Sequence, residues 1–516
     1  MKAAPSLRHP RAFTSGCGVD SVYSLLAHQV ATRPDALAVE DSTGAHLTYA
    51  QLSVAADEIA EVLKANGIVS GDRVMIVSEN CAAKVAALFA TWRLGATAVP
   101  INARQTPAEL ARVDAHAEPK VVFFTTQVSA DAANHDKNAQ NCEAHIEPGT
   151  VSGVWGRLSL HCPRGDSFPG DKDVAVLLYT TGTTGDPKGV MLTHSNVRFG
   201  GRTSAELRGM THDDLIYGVL PTTHVFGLCS VVVAAIHAGA PVRLVPRFVV
   251  ADVFDALRDG ITLFSAVPQM HALLMAHAKS LGETALGSDT LRYVSSGAAP
   301  LDPTWKREAE AFYGVAIQNG YGMTESTAGT AATRNIIGDP DTSVGPALPG
   351  IEIAIDDTVP GGEVLTRGPH VMKGYFRNPD ETAKVLDDDG WLRTGDLGQI
   401  DAQGKLHILG RAKELIIHGG FNVFPPEVEA ALNDHPDVVQ AAVVGRIISG
   451  DEEVLAFVQV PVGSALSEED LRAFVKDRLA GYKRPARYIL ATELPAAPTG
   501  KILKHKLIET FANQLI

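Results

Sequence analysis

A run of glycine and hydroxyl residues is the part of this chain whose composition speaks most directly of chemistry. It reads Thr180-Thr181-Gly182-Thr183-Thr184-Gly185-Asp186-Pro187-Lys188-Gly189 and follows Val174–Thr180, an apolar stretch that predicts a buried strand. Glycines after a strand let backbone N–H groups converge on an anion, and the threonine hydroxyls add further donors. Lys188 supplies the compensating charge. This is not a Walker A loop, because Pro187 stands where the second glycine belongs and Gly189 follows the lysine in place of Ser or Thr. Gly, Thr, Asp and Pro also favour plain turns. The density of hydroxyls favours phosphate oxygens as the ligand.

Other segments have the makings of a nucleotide site. Asn319-Gly320-Tyr321-Gly322 sets an amide and an aromatic face beside two glycines. Tyr321 could stack on a purine, Asn319 could hydrogen-bond its amino group, and the glycines admit close backbone approach. In isolation the same pattern reads equally well as a core tyrosine at a tight turn. Ser296-Gly297-Ala298-Ala299 is small enough to form an opposing wall for a flat ring. Lys501 follows Pro498-Thr499-Gly500, a turn able to swing one ammonium into a site, where a desolvated cation would stabilise charge developing on phosphorus. Taken locally, Lys504 and Lys506 make the same tail look like a basic surface end. Asp396 and Arg411, read alone, are each half of an ordinary ion pair. His224, between a Pro-Thr-Thr turn and an apolar stretch, reads by itself as a core histidine.

Alternating strands and helices are expected to position these residues. Asp72–Ser78 and Lys120–Thr125 read as buried strands; Tyr49–Asn66 and Cys81–Leu94 carry apolar residues at helical spacing, with Gly67 and Gly95 as C-caps. The rhythm resumes with Val174–Thr180, an apolar helix over Val225–His237, strands over Ile261–Ser265 and Leu291–Ser295, and a helix Pro303–Tyr313 stopped by Gly314. Such alternation predicts an α/β protein of layered units with largely parallel sheets. Residues 126–172 are polar and read as a surface excursion. Near Gly410–Arg411 the pattern changes to a helix over Pro426–Asn433, strands over Val438–Val444 and Val454–Val460, and a helix over Glu468–Leu479. The expected organisation is therefore a large N-terminal domain of layered α/β subdomains, 1–409, and a small mobile α+β C-terminal domain, 410–516, carrying Lys501.

Composition narrows the class. Lys+Arg 45 against Asp+Glu 59 gives a net charge of −14, which argues against a nucleic-acid partner or a polybasic membrane binder. No apolar window is long enough for a transmembrane segment, and the N-terminal MKAAPSLRHPRAF lacks the apolar core of a secretory signal. Five scattered cysteines with no C-x-x-C pair argue against a disulfide framework or a zinc site, so a cytoplasmic location is expected. Neither G-x-G-x-x-G nor G-x-S-x-G occurs, which disfavours dehydrogenase and serine-hydrolase chemistry.

The motifs resemble, as an ordered set, those of the adenylate-forming enzymes: acyl- and aryl-CoA synthetases, peptide-synthetase adenylation domains and firefly-type luciferases. The set is YTTGTTGDPKGV (179–190), PTTHVFG (221–227), SSGAAPL (295–301), NGYGMTE (319–325), VGPALPG (344–350), GWLRTGD (390–396), GRAKELIIHGGFNVFPPEVE (410–429) and PTGK (498–501). The resemblance spans roughly residues 20–510. It implies ATP, Mg²⁺ and coenzyme A as cofactors. Thr180, Thr181, Gly182, Thr183, Thr184 and Lys188 would hold the phosphates, with Thr181 in place of the commoner serine. Gly297, Ala298, Ala299, Asn319, Gly320, Tyr321 and Gly322 would frame the adenine. Thr324 would touch the α-phosphate, Glu325 would help hold Mg²⁺, Asp396 would grip the ribose hydroxyls with Arg411 joining it, and Lys413 would mark the hinge. Lys501 would be the catalytic cation.

For the acid, the resemblance places His224 at the gate of the acyl tunnel, with Val225, Phe226, Gly297 and Met323 lining the pocket. The segment 221–227 carries no carboxylate to pair an α-ammonium, so a fatty or aromatic carboxylic acid is expected rather than an amino acid. For the acceptor, Gly419 and Gly420 would let a pantetheine arm pass, and Tyr482, Lys483 and Arg484 would face the CoA nucleotide. Gly445–Glu453 departs from the family pattern for that contact. The expected activity is an ATP-dependent acid–CoA ligase working through an acyl-AMP. An acyl-AMP ligase loading a carrier protein and a catalytically silent nucleotide binder are the alternatives, and the oligomeric state, a homodimer included, is left open.

Overall fold

The computed structural model describes residues 21–138, 145–146, 158–161, 171–181, 187–297, 301–327, 329–419, 421–448, 451–496 and 502–515. Gly182, Thr183, Thr184, Ala298, Ala299, Gly420 and Lys501 lie outside the described residues.

Two eight-stranded sheets form the bulk of the chain. One runs Ala331–Ala332, Ile317–Tyr321, Tyr293–Gly297, Leu263–Ala266, Ile216–Gly218, Val242–Leu244, Leu37–Asp41, His46–Thr48, parallel except at both edges. The other runs Gly374–Tyr375, Pro187–Thr193, Val174–Thr181, Thr97–Asn102, Arg73–Ser78, Val121–Thr125, Leu158–His161, His145–Ile146, with a parallel centre and antiparallel flanks. Valine and isoleucine runs buried on both faces explain the parallel centres. Between the sheets lies the helix Ala82–Arg93, which contacts strands of both and is buried from Ala82 to Trp92. Trp92 Nε1 donates to the Ala175 carbonyl at 2.9 Å and so ties this helix to the strand that feeds the phosphate loop.

The sequence reading of the elements holds closely in this region. Helices form at Tyr49–Ala65 and Pro303–Tyr313, and Gly67, Gly95 and Gly314 take the positive φ expected just past a helix end. Thr48 with Gln51, Thr106 with Glu109 and Thr193 with Asn196 close capping boxes that fix where helices begin.

Two expectations are corrected. The stretch 126–172 is more than an excursion: it contributes the helix Ala130–Asn138, and Leu158–His161 pairs antiparallel with Val121–Thr125 at the sheet edge. Backbone pairing at an edge needs no apolar periodicity, so the pattern did not reveal it. The apolar helix expected over Val225–His237 forms without a break, but its middle, Leu228–Val233, is π-helical between α-helical Val225–Gly227 and Ala234–Ala238. Such π segments are rare and recur at functional sites.

A four-stranded antiparallel sheet, Glu352–Asp356, Glu363–Arg367, Leu392–Ile400 and Leu406–Arg411, follows. After it the elements are smaller. A hairpin Ile416–His418/Phe421–Val423 precedes the helix Pro425–Asn433 and a three-stranded sheet, Gln440–Ile448, Asp451–Gln459, Arg487–Ala491. This unit has its own apolar cores, one around Val428, Val443, Ala456 and Leu471 and another around Leu455, Phe457 and Leu507. The architecture is a large α/β N-terminal domain with a smaller C-terminal domain. Among the described residues, no helix is long and apolar enough to cross a membrane.

Candidate active site

The candidate nucleotide slot lies at the C-terminal ends of two parallel strands. Tyr293–Gly297 and Ile317–Tyr321 pair in register, Ser296 beside Asn319 and Gly297 beside Gly320. Carboxyl ends of parallel strands are where open α/β sheets bind ligands, since the chain opens there into loops. Asn319 is 2% exposed, its Nδ2 donates to the Ser343 carbonyl at 3.0 Å, and its Oδ1 accepts from the Gly320 N–H at 3.0 Å. The side chain read as a purine contact is thus already engaged in holding its own strand end. Ser296 Oγ beside it is buried and has no hydrogen-bond partner among the described residues. An orphaned buried hydroxyl at this strand end fits a polar ligand group.

Tyr321 and Asp396 meet across two sheets. Tyr321 Oη donates to Asp396 Oδ2 at 2.6 Å, and Arg411 Nε lies 3.0 Å from Asp396 Oδ1. Asp396 and Arg411 are paired residues of adjacent antiparallel strands, which explains why two residues fifteen apart converge. Gly395 makes the placement workable: it takes φ +70, and Thr394 Oγ1 accepts from the Asp396 N–H at 3.1 Å. Asp396 is only 4% exposed, a costly position for a carboxylate unless it is met by donors as it is here. Burial, reinforced by the Asp396 carboxylate, pushes the Tyr321 phenol well above its ordinary pKa, so it stays a donor.

The phosphate-loop hairpin ends beside this slot. Thr180 faces Lys188 and Thr181 faces Pro187 across the two strands. Lys188 Nζ pairs with Glu381 Oε2 at 2.5 Å and lies 5.2 Å from the centre of the Tyr375 ring. Tyr375 Oη in turn donates to Glu325 Oε1 at 2.9 Å. Glu325, 9% exposed, sits in the short turn Thr324–Ser326 that follows Met323. Among the described residues no three His, Cys, Asp or Glu side chains gather as a metal centre. A single buried carboxylate such as Glu325 fits a hard cation that takes its remaining ligands from phosphate oxygens and water. Glu381 and Tyr375 were missed by sequence reasoning: the pairing of Gly374–Tyr375 with the strand of Lys188 reveals the one, and the ion pair to Lys188 reveals the other.

The segment 218–227, expected from the sequence to face the acid, is held as a unit. Asn80, 4% exposed, binds it at four points: Nδ2 donates to the carbonyls of Gly218 and Leu220 at 3.1 and 2.9 Å, and Oδ1 accepts from Thr222 N and Oγ1, both at 2.9 Å. A Cβ at Gly227 would lie 2.4 Å from the Pro221 carbonyl oxygen, so only glycine lets the turn close. His224 caps the following helix by its backbone and is exposed. The Phe226 ring lies against Gly297, where a Cβ would come within 3.1 Å of it. Val225 is buried, while Phe226 and Met323 are half-buried against the central core.

In the smaller unit, Lys413 is exposed in the turn Ala412–Glu414 directly after Arg411. Gly419 takes φ +57 and donates its N–H to both oxygens of Asp451. Tyr482 stacks on Phe421 at 4.6 Å, Lys483 pairs with Glu427 at 2.5 Å, and the Arg484 guanidinium donates to the carbonyls of Leu479 and Lys476. The aromatic and two cations read as a CoA contact are thus engaged within the unit. Lys504, three residues past Lys501, bridges Glu414 at 3.0 Å and Glu429 at 2.7 Å.

Residues 26–376 match the family model of the AMP-binding enzymes, and residues 427–501 match the AMP-binding enzyme C-terminal domain. The chain is 32% identical to 4-coumarate–CoA ligase 1 of Arabidopsis thaliana, over 94% of this chain and 91% of that protein. It is also 32% identical to a long-chain-fatty-acid–CoA ligase of Bacillus subtilis, over 95% of this chain and 94% of that one. Among solved structures it resembles ATP-bound MatB from Rhodopseudomonas palustris, with a TM-score of 0.82, 31% identity, and coverage of 96% of this chain and 100% of that one. O-succinylbenzoate coenzyme A synthetase of Bacillus subtilis, in complex with ATP and magnesium ion, gives a TM-score of 0.78 at 29% identity, over 94% and 98% of the two chains. The likeness runs along nearly the whole length of these proteins, and with both family models matched the chain belongs to the AMP-binding enzyme family.

Proposed function

We propose that this chain is an ATP-dependent acid–CoA ligase that activates an apolar carboxylic acid, fatty or aromatic, through an acyl-AMP. A carboxylate oxygen attacks the α-phosphorus of ATP, the bond to the bridging oxygen breaks, and pyrophosphate leaves. The CoA thiol, losing its proton, then attacks the acyl carbon and AMP leaves. The relatives support the reaction class: they include ligases of coumarate, of long-chain fatty acids and of indoleacetate.

Roles for the side chains follow from their placement. The carboxylate of Asp396, held by Tyr321 and Arg411, is the acceptor proposed for the ribose hydroxyls. Tyr321 offers its ring to adenine while its hydroxyl fixes Asp396. Thr324 is assigned to the α-phosphate, Lys188 to the outer phosphates and Lys501 to charge developing at the α-phosphorus. Mg²⁺, held by Glu325 together with phosphate oxygens, would neutralise the triphosphate and help pyrophosphate leave. Val225, Phe226, Gly297 and Met323 form the acyl surface, with His224 at its entrance. Rotation of the unit 410–516 about Lys413 would exchange Lys501 for Gly419, Gly420 and the thiol channel. A cytoplasmic location fits Cys81 and Cys229, which are buried free thiols.

The single observation that carries this reading is the Tyr321–Asp396–Arg411 cluster at the strand ends beside the phosphate-loop hairpin. The test is pyrophosphate release with ATP and Mg²⁺ against fatty, benzoic, cinnamic and short dicarboxylic acids, with and without CoA. Acid-dependent pyrophosphate with a CoA thioester is the expected result. Pyrophosphate without thioester would move the acceptor to a carrier protein. ATP binding without turnover on any acid would leave a silent binder.

A further inference from the structure

We propose that Tyr375 is a positioning residue that sets the magnesium carboxylate and the phosphate-loop lysine together. This rests on the assignment of Glu325 to Mg²⁺ and of Lys188 to the triphosphate. Gly374–Tyr375 adds an antiparallel strand to Pro187–Thr193, Gly374 opposite Met191 and Tyr375 opposite Val190. Lys373 N donates to the Met191 carbonyl and Phe376 N to the Gly189 carbonyl, so the backbone at 373–376 is laced along the lysine's own strand. Thr382 Oγ1 accepts from Tyr375 N at 2.9 Å and fixes the residue from its other side. The backbone that carries the ring is thereby fixed to the hairpin.

From that place Tyr375 touches both charged groups. Its Oη donates to Glu325 Oε1 at 2.9 Å, while Met372 N donates to the Glu325 carbonyl at 2.8 Å. Side chain and backbone of Glu325 are thereby held by one short segment. Engaging Oε1 orients the carboxylate and leaves Oε2 for a cation; carboxylates that ligate metals are commonly held this way. The ring face, 5.2 Å from Lys188 Nζ, attracts the ammonium through its quadrupole. Tyr375 is 8% exposed, so its hydroxyl is screened from solvent beside the carboxylate. One side chain thus ties two groups that must meet the same triphosphate from two sheets.

The experiment is calorimetric titration of a non-hydrolysable ATP analogue, with Mg²⁺ and with EDTA, into the full-length wild type, Tyr375→Phe, Tyr375→Leu and Glu325→Gln. Tyr375→Phe keeps the shape and the ring face, and a thermal midpoint near that of wild type establishes folding. The wild type should bind more tightly with Mg²⁺. Tyr375→Phe should match it in EDTA yet lose about tenfold of the gain from Mg²⁺, the scale of one hydrogen bond to a charged group. Tyr375→Leu should also weaken binding in EDTA by about threefold, because Lys188 loses its ring. A Phe variant that gains from Mg²⁺ as the wild type does overturns the role of Tyr375 and leaves the ligase reading intact. If Glu325→Gln keeps the full gain, the assignment of Glu325 fails and that of Tyr375 falls with it.

Discussion

Lys188 and Glu381, 193 positions apart, form an ion pair of 2.5 Å that joins the phosphate-loop hairpin to the first turn of the helix Pro379–Val385. Lys188 draws the Glu381 carboxyl down to about 2, with Lys384 assisting from the same helix. A triphosphate that recruits Lys188 must compete with this carboxylate. Both side chains are partly exposed, so the pair is weak and exchangeable rather than a lock.

That competition gives a direct test. Glu381→Gln should tighten binding of an ATP analogue by about threefold, whereas Lys188→Ala should weaken it by tenfold or more. The double variant should bind like Lys188→Ala alone, since the effect of Glu381 acts through the lysine. Equilibrium titration of the four proteins decides it; weaker binding by Glu381→Gln would mean that the carboxylate orients the lysine instead of competing for it.

Tyr321 separates stacking from hydrogen bonding. Tyr321→Phe keeps the ring and removes the donor to Asp396, so ATP affinity should fall by about threefold to tenfold. Tyr321→Ala removes the ring as well, and base–aromatic stacking is worth about 1–3 kcal/mol, a further loss of about fivefold to a hundredfold. Equal losses in the two variants would show that the ring does not meet the base.

Asn80 lies far in sequence from the segment it holds, 218–222, which is proposed to face the acid. Asn80→Ala removes all four hydrogen bonds to 218–222 and should raise the KM for the acid by about tenfold while leaving the KM for ATP nearly unchanged. Asn80→Asp keeps the two bonds that Oδ1 accepts and loses the two that Nδ2 donates, so it should fall between. Steady-state kinetics with each substrate varied in turn would check this, and parallel rises in both KM values would contradict it.

The contrast between Asp396 and Asn80 explains what was legible in the sequence. Lys188 stands in a loop whose glycines and hydroxyls crowd together, whereas Asp396 and Tyr321 are singled out by the motifs of the family resemblance, since each taken alone reads as an ordinary ion-pair or core residue. Strand and helix periodicity likewise recovered the parallel centres of both sheets, where burial on two faces writes an apolar run. Asn80, Tyr375 and Glu381 carry no such mark. Each gains its meaning from a partner more than 45 residues away, through sheet pairing or a packed loop. The π turn Leu228–Val233 was equally invisible, since its residues are as apolar as an α-helix would require. Asn319 shows the converse: its motif was plain, but its amide is engaged with Ser343 and Gly320.

Lys84 gives stability a pH dependence of predictable sign. It lies in the helix between the two sheets, is 1% exposed, and its Nζ has no hydrogen-bond partner among the described residues. Burial pushes its ammonium down to about 7, against a smaller opposing pull from the neighbouring Cys81 thiol and Glu79 carboxylate. The unfolded chain restores the ordinary value of 10.5, so between about pH 7 and that value the unfolded state binds more protons than the folded state. The contribution of Lys84 therefore makes the protein more stable as pH rises through this window, and it is flat below it. Lys84→Met removes the titration and the buried charge together. The variant should be the more stable protein at pH 7, and the wild type should gain on it by up to about 1.4 kcal/mol per pH unit above that. Urea unfolding of both proteins at pH 7, 8 and 9 measures the difference; a gap that stays constant, or widens in favour of the variant, would place the Lys84 amine in a solvated environment instead.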